Sequence, residues 1–176
     1  MSIKSILIIA YDWPPRNSIA VYRPYAWAKK WAALGIRVVV ITSKKCAYDS
    51  PLDLILPDLH GVKVIEVPYR NEKQNNKKNF LGCIKLAFID FLKKYSSPIK
   101  KIIGKNYDVR DKWSDAATKV AIDAFRSETF DLMLSTFGPR SCHYIANGVK
   151  HEFPQVKWVA DYRDLWSIRH DLELTQ

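Results

Sequence analysis

The sequence predicts an α/β protein built on a Rossmann-like, doubly wound and mostly parallel sheet. Three observations carry that reading. Short apolar runs rich in β-branched residues alternate with stretches of helical periodicity. Runs such as "IRVVVITS" are continuously apolar, as strands covered on both faces are. The 176 residues are enough for one domain with a sizeable core.

"IKSILIIAY" reads as the first strand, and "DWPPRNS" as a loop by its prolines and its Asn-Ser pair. A helical stretch then runs to Leu34 and closes on Gly35, a favoured residue just past a helix end. Trp27, Trp31 and Leu34, spaced by four and three, mark a buried stripe. Pro24 fits only a first helical turn, so the helix either begins near Tyr22 or kinks there. "IRVVVITS" is the second strand, and "GVKVIEVP", after a turn at His60-Gly61, the third. Helical periodicity returns in "FLGCIKLAFIDFLKKY" and near Trp113–Arg126. "FDLMLST" is the fourth strand, "SCHYIANGVKH" a helix and "QVKWVADY" the fifth strand. The whole chain reads as one domain with a basic helical insertion at about 70–112.

Crossovers in such a sheet are right-handed, so the carboxyl ends of the strands share one edge, and ligands bind outside it. "DWPPRNS", "TFGPRS" and "YRDLWS" follow the first, fourth and fifth strands. They should therefore gather at one rim, where their Pro, Arg, Asp, Trp and Ser residues suit a binding cleft.

Composition narrows the function classes. Hydrophobic residues are 48% and charged residues 26%, which fits a folded globular chain. No apolar run approaches the roughly 20 residues that span a bilayer. "MSIKSILIIAYDWPP" holds an apolar run of only about seven residues and no small-residue cleavage site, so it reads as a strand rather than a signal peptide. Cys46, Cys83 and Cys142 are odd in number and widely spaced, which fits a reducing cytoplasm and no disulfide framework. Of the net charge of +10, about +8 lies between Arg70 and Lys112, with twelve Lys/Arg against four Asp/Glu. That block reads as a solvated helical face, as a patch for an anionic membrane surface, or as a nucleic-acid contact that no motif supports.

Several familiar sites are absent. The six glycines form no GxG, GxGxxG or GxxxxGK[ST], which argues against a dinucleotide site and a P-loop. His60, His143, His151 and His170 make no compact metal spacing, and there is no GxSxG elbow. No metal and no bound cofactor is expected. The chain shows no internal repeats.

The loops carry a pattern that resembles family 4 (group 1) glycosyltransferases. "ILIIAYDWPPRNSIAVYRPYAWAKKWAALGIRVVVITS" is similar to the opening of that family: a strand, a Trp-Pro-Pro loop, an arginine, a "LAKxLAxxG" helix and a strand ending in Thr. Trp13, Pro14, Pro15, Arg23, Ala28, Lys29, Gly35 and Thr42 stand in those places. "FDLMLSTFGPRSCHYIA" and "WVADYRDLWS" resemble two further family segments, while 43–130 has no counterpart. The paired glycines of the family are replaced here by Asn17 and Ser18. Asn tolerates positive φ, so the turn can survive the exchange, and acceptor identity is affected more than fold.

The resemblance implies a GT-B enzyme, with two Rossmann-like domains and the active site between them. This chain corresponds to the acceptor-side domain. Such an enzyme, of the hexosyltransferase type, moves a sugar with retention from a nucleotide-sugar donor to a glycan or lipid-linked acceptor, in cell-surface polysaccharide synthesis. Its site would be cytoplasmic, peripheral on the inner face of the membrane. The donor-binding C-terminal domain has no counterpart in this chain, which is expected to be inactive by itself. A rival reading is a non-catalytic Rossmann-like domain that docks to an anionic membrane or a partner protein.

The resemblance and the strand-end rule nominate site residues. Asp164 is the first candidate for chemistry, stabilising developing oxocarbenium charge or holding a sugar hydroxyl; otherwise it caps a short helix. Arg163 pairs with an anionic acceptor or phosphate, or forms a structural ion pair with Asp161 or Asp164. Asp161 reads as structural. Trp166 stacks on a sugar or packs in the core. Arg23 contacts acceptor, braces its loop, or lies along the surface. Pro15, Asn17 and Ser18 line the first loop, the latter two also as helix caps. Ser135, Arg140, Ser141 and His143 flank the cleft after the fourth strand; a lone histidine is more often structural than catalytic.

Overall fold

The computed structural model describes residues 3–45, 51–68 and 113–163. The chain divides into two units, Met1–Arg70 with Arg110–Gln176, and Asn71–Val109; every described residue belongs to the first. The sequence-predicted helix "FLGCIKLAFIDFLKKY" and most of the basic block lie outside the described residues.

The elements run β1 (Ser5–Ile9), α1 (Ile19–Ala33), β2 (Arg37–Ser43), β3 (Val62–Val67), α2 (Ser114–Ser127), β4 (Leu132–Thr136), α3 (Ser141–Glu152) and β5 (Trp158–Asp161). The sheet order is β3-β2-β1-β4-β5, and every pairing is parallel. From β1 the chain moves outward through β2 to β3, then returns to β4 on the other side of β1. The topological switch therefore falls between β1 and β4.

Side chains alternate across a strand, so β1 feeds two cores. Ile6, Ile8 and Ala10 face α1, packing with Val38, Val40, Tyr25 and Ala28. Leu7, Ile9 and Tyr11 face α2 and α3, packing with Val39, Ile41, Ala117, Ile145 and Val149. Every residue of β1 is buried. Burial on both faces is the physical reason its sequence is a continuous apolar run. β3, at one edge, is half exposed and carries Lys63 and Glu66 outward.

α1 departs from expectation in two ways. It begins at Ile19, with Ser18 as N-cap, so Pro24 sits inside the helix rather than in its first turn. Its buried face is Val21, Pro24, Tyr25 and Ala28. Trp27 and Trp31 are partly buried and stack on each other, with ring centroids 6.2 Å apart, while Leu34 is 63% exposed. The stripe inferred from Trp27, Trp31 and Leu34 is thus rotated from the face that packs. Gly35 adopts φ 75° just past the helix, where a β-carbon would be strained.

Between β2 and β3 the described residues form an extended strap instead of a helix. The strap lies along the α1 side of the sheet, where Leu56 and Leu59 pack against the core. It is tied to the loop after β1 by Asn17 N to Pro51 O (2.8 Å) and Leu54 N to Pro15 O (3.0 Å), and to α1 by Tyr25 Oη to Pro57 O (2.7 Å).

On the opposite face, α2 and α3 approach closely through small residues, Ala117 and Ala121 against Ala146 and Gly148. A β-carbon on Gly148 would lie 2.7 Å from Thr118 Cγ2. Thr118 cannot easily turn away, because its Oγ1 donates to Ser114 O at 2.8 Å. Gly148→Ala is therefore expected to lower the unfolding free energy by about 1–2 kcal/mol in urea denaturation. Adding Thr118→Ser, which removes the obstructing methyl and keeps the hydroxyl, should restore it.

Candidate functional site

The carboxyl ends of β1, β4 and β5 are adjacent, because Ile9 is level with Ser135 and Thr136 with Asp161. The loop after β1, the turn before α3 and the residues after β5 emerge together on one edge. Pro15, Ser141 and Arg163 all belong to it. Asp164 and Trp166 lie outside the described residues.

Asn17 and Ser18 both have structural work. Ser18 Oγ accepts from Ala20 N at 3.3 Å and caps α1. Asn17 Nδ2 donates to Asp53 Oδ1 at 2.9 Å, on the strap. Neither adopts a positive φ. The turn therefore forms without drawing on the tolerance of Asn for positive φ. Pro15 is exposed on the same loop.

Pro24 has no N–H to donate to the Ala20 carbonyl one turn earlier. Arg163 Nη2 donates to that carbonyl instead, at 2.8 Å. The same guanidinium reaches Thr136 at the end of β4, with Nε 3.2 Å and Nη2 3.1 Å from Oγ1. Thr136 Oγ1 in turn donates to Asp161 Oδ2 at 3.0 Å. Asp161 forms an ion pair with Arg23 of α1, whose Nη1 lies 3.1 Å from Oδ1 and 3.3 Å from Oδ2. Arg163 and Asp161 thus meet through Thr136, and the ion pair belongs to Arg23. Arg23 ties α1 to β5, a different contact from the brace of the first loop that the sequence suggested. The pair is half open to solvent on the arginine side, so by itself it adds about 1 kcal/mol or less. Its role is geometric: it joins α1 to the ends of β4 and β5.

Beneath this network lies a buried polar chain. Trp158 Nε1 donates to Ser135 Oγ at 2.8 Å, and Ser135 Oγ lies 2.7 Å from His143 Nδ1. The serine hydroxyl has one proton and two lone pairs, so it can bridge Trp158 Nε1 and His143 Nδ1 in either tautomer of the ring. Burial lowers the His143 pKa, with Asp161 acting in the opposite sense. The imidazole is accordingly neutral near pH 7. Its face lies 4.6 Å from the Tyr162 ring, which stacks on Phe137 at 6.3 Å. Ser135 and His143 are both buried, so this serine–histidine contact supports the rim from below. Ser141 is buried too and accepts from Trp113 Nε1 at 3.1 Å. Arg140, at the start of α3, lies over the Tyr144 ring at 6.0 Å. Ser135→Ala removes the partner of buried His143 Nδ1 and of part-buried Trp158 Nε1 and should cost about 2–4 kcal/mol in urea denaturation.

A second polar cluster lies under the ends of β1 and β2. Arg16 Nε is 3.5 Å from Asp12 Oδ1, and the guanidinium lies 4.4 Å from the Tyr11 ring centroid. Lys45 Nζ donates to Ser43 O (2.6 Å), Thr42 Oγ1 (2.7 Å) and Tyr11 O (3.1 Å). Thr42 and Ser43 hydroxyls also donate to Tyr11 O, so the exit of β1 is gripped by three donors. None of Asp12, Arg16, Lys45 or Thr136 is singled out by sequence reasoning. The one available signal is position, since each stands at or just beyond a strand's carboxyl end.

Burial pushes the Lys45 pKa down to about 7, helped by the Arg16 charge and opposed by Glu66 and Asp12. An unfolded lysine titrates near 10.5. Between those values the unfolded chain binds more protons than the folded one, so stability rises with pH across that window. Urea denaturation from pH 7 to about 10 should show wild type gaining on Lys45→Met. Parallel curves would show that the ammonium persists in the fold.

A groove of about 300 Å³ opens beside the first loop, lined by Trp13, Pro14, Tyr25, Leu56, Asp58 and Val62 among others. Among the described residues, no group of three or more His, Cys, Asp or Glu is placed to hold a metal ion, and no helix is long and apolar enough to cross a membrane. Cys142 is buried and forms no disulfide among the described residues.

No family model matches the chain, and no curated protein matches it. Among solved structures, two crystal structures of the C-terminal domain of a hydrogenase from Pyrococcus furiosus are similar to it. Both are 16% identical over 89% of this chain and 89% of theirs, with TM-scores of 0.48 and 0.47. Likeness at that level carries no argument about activity.

Proposed function

We propose that the chain is the acceptor-side domain of a retaining glycosyltransferase, which moves a sugar from a nucleotide-sugar donor to a glycan or lipid-linked acceptor at the cytoplasmic face of a membrane. One observation carries the reading. The segments that resemble the glycosyltransferase pattern, scattered through the sequence, belong to neighbouring strands β1, β4 and β5 and leave them at the same edge. That edge contains the switch point, where open parallel sheets bind ligands.

In this reading the sugar's C1–O bond to the nucleoside diphosphate breaks and a C1–O bond to the acceptor hydroxyl forms on the same face. Donor binding falls to a second Rossmann-like domain. The described rim holds the acceptor: Arg23, Arg140 and Arg163 supply charge, and Tyr162 and Pro15 supply surface. Asp164, next to Arg163, stabilises the positive charge that develops on the sugar ring. Neutral His143 holds Tyr162 from below and stays out of proton transfer.

The test is a screen of nucleotide sugars with membrane and glycan acceptors against the full-length protein. Transfer is expected with one donor, and Asp164→Ala should lower kcat by about 100-fold or more. A near wild-type rate in that variant would remove Asp164 from the chemistry. Absence of transfer with every donor, together with binding to anionic vesicles, would favour a docking domain instead.

A further inference from the structure

Arg163 differs from most described arginines in its partners. Arg16, Arg23, Arg37 and Arg126 each have a carboxylate: Asp12, Asp161, Glu128 and Glu152 respectively. Arg163 is held by neutral oxygens, the Ala20 carbonyl and the Thr136 hydroxyl. Those bonds fix its plane and leave its charge uncompensated among the described residues. Arg23 is fixed a short distance away, because both guanidiniums are linked through Thr136 Oγ1 and the Asp161 carboxylate. Both Asp161 oxygens are engaged, Oδ1 by Arg23 and Oδ2 by Arg23 and Thr136. Two arginines and one carboxylate leave a net positive spot at the ligand-binding edge.

We infer that Arg23 and Arg163 together bind a phosphate group carried by the acceptor. Two planar guanidiniums on different elements suit a tetrahedral oxyanion, which offers separate oxygens to each. Asp161 sets their spacing and has no contact with the ligand. Tyr22 and Tyr162, each next in sequence to one of the arginines and about half exposed, offer ring surface to whatever carries the phosphate. This inference rests on the acceptor reading for its biological sense, but phosphate binding can be measured without any sugar transfer.

The experiment uses the 176-residue chain, with arginine Nε–H resonances followed by NMR during titration with inorganic phosphate at constant ionic strength. The Arg23 and Arg163 resonances should shift saturably. Arg23→Gln and Arg163→Gln should each weaken binding about tenfold, and Arg126→Gln should leave it unchanged. Arg163 also braces α1, so thermal melts of each variant accompany the titration. Arg23 is half exposed, and its variant gives an answer even where Arg163→Gln unfolds. Two further arms identify the source of the phosphate: a hexose phosphate in solution, and phosphatidylglycerol vesicles against phosphatidylcholine. Competition by either one, dependent on Arg23, supports the site and names its origin. No saturable shift in wild type, or Arg23→Gln binding as wild type does, overturns it. Transfer to a neutral acceptor that tolerates Arg23→Gln would also overturn it while leaving the glycosyltransferase reading intact.

Discussion

A proline inside a helix withholds one proton, and an arginine beyond the last described strand replaces it. Pro24 leaves the Ala20 carbonyl without its intrahelical donor, and Arg163 supplies one from the end of β5. That bond reaches across the sheet edge, because α1 follows β1 whereas Arg163 follows β5. Without it, the first turn of α1 would carry an unpaired carbonyl in a part-buried place, which costs about 1–3 kcal/mol. With it, the helix that closes the first loop is registered against β4 and β5. The arrangement of the rim depends on this registration.

The rim is therefore rigid where it touches the sheet. Thr136 and Asp161 are level with each other on adjacent strands, and the hydrogen bond between their side chains reinforces the end of the backbone ladder, where Phe137 N donates to Asp161 O. Below them, Trp158 Nε1 and His143 Nδ1 meet at the buried Ser135 hydroxyl. Polar groups buried in this way are costly unless every one is bonded, so they specify one geometry more sharply than an apolar plug would. A binding edge benefits from that sharpness, since ligand geometry is set by side chains that do not have to be ordered on binding.

The parallel sheet and the shared edge were legible in the sequence because they follow from short apolar runs and right-handed crossovers; the strand order β3-β2-β1-β4-β5 was not. β1, β2 and β4 announce themselves by being covered on both faces. The face of α1 was not legible. Trp27, Trp31 and Leu34 have the right spacing, yet a helix that starts at Ile19 turns Val21, Pro24, Tyr25 and Ala28 inward. Tolerance of Pro24 depends on a guanidinium 139 positions away in sequence (Arg163 minus Pro24), which no local rule can supply. Buried charge was likewise hidden. Lys45 follows a strand end as any solvated lysine does, and only the fold places Tyr11, Thr42 and Ser43 oxygens around it. Asp161 reads as structural from position, and its bonds to Arg23 and Thr136 agree with that reading.

The strap between β2 and β3 has a consequence for redesign. Asn17 and Asp53 hold the first loop and the strap together, with the Pro51 and Pro15 carbonyls accepting from Asn17 N and Leu54 N on either side. The two segments behave as a laminated pair. Placing glycine at 17 to widen the approach to the edge would also unfasten its neighbour. Anyone reshaping this mouth for a bulkier guest must recode both plies together.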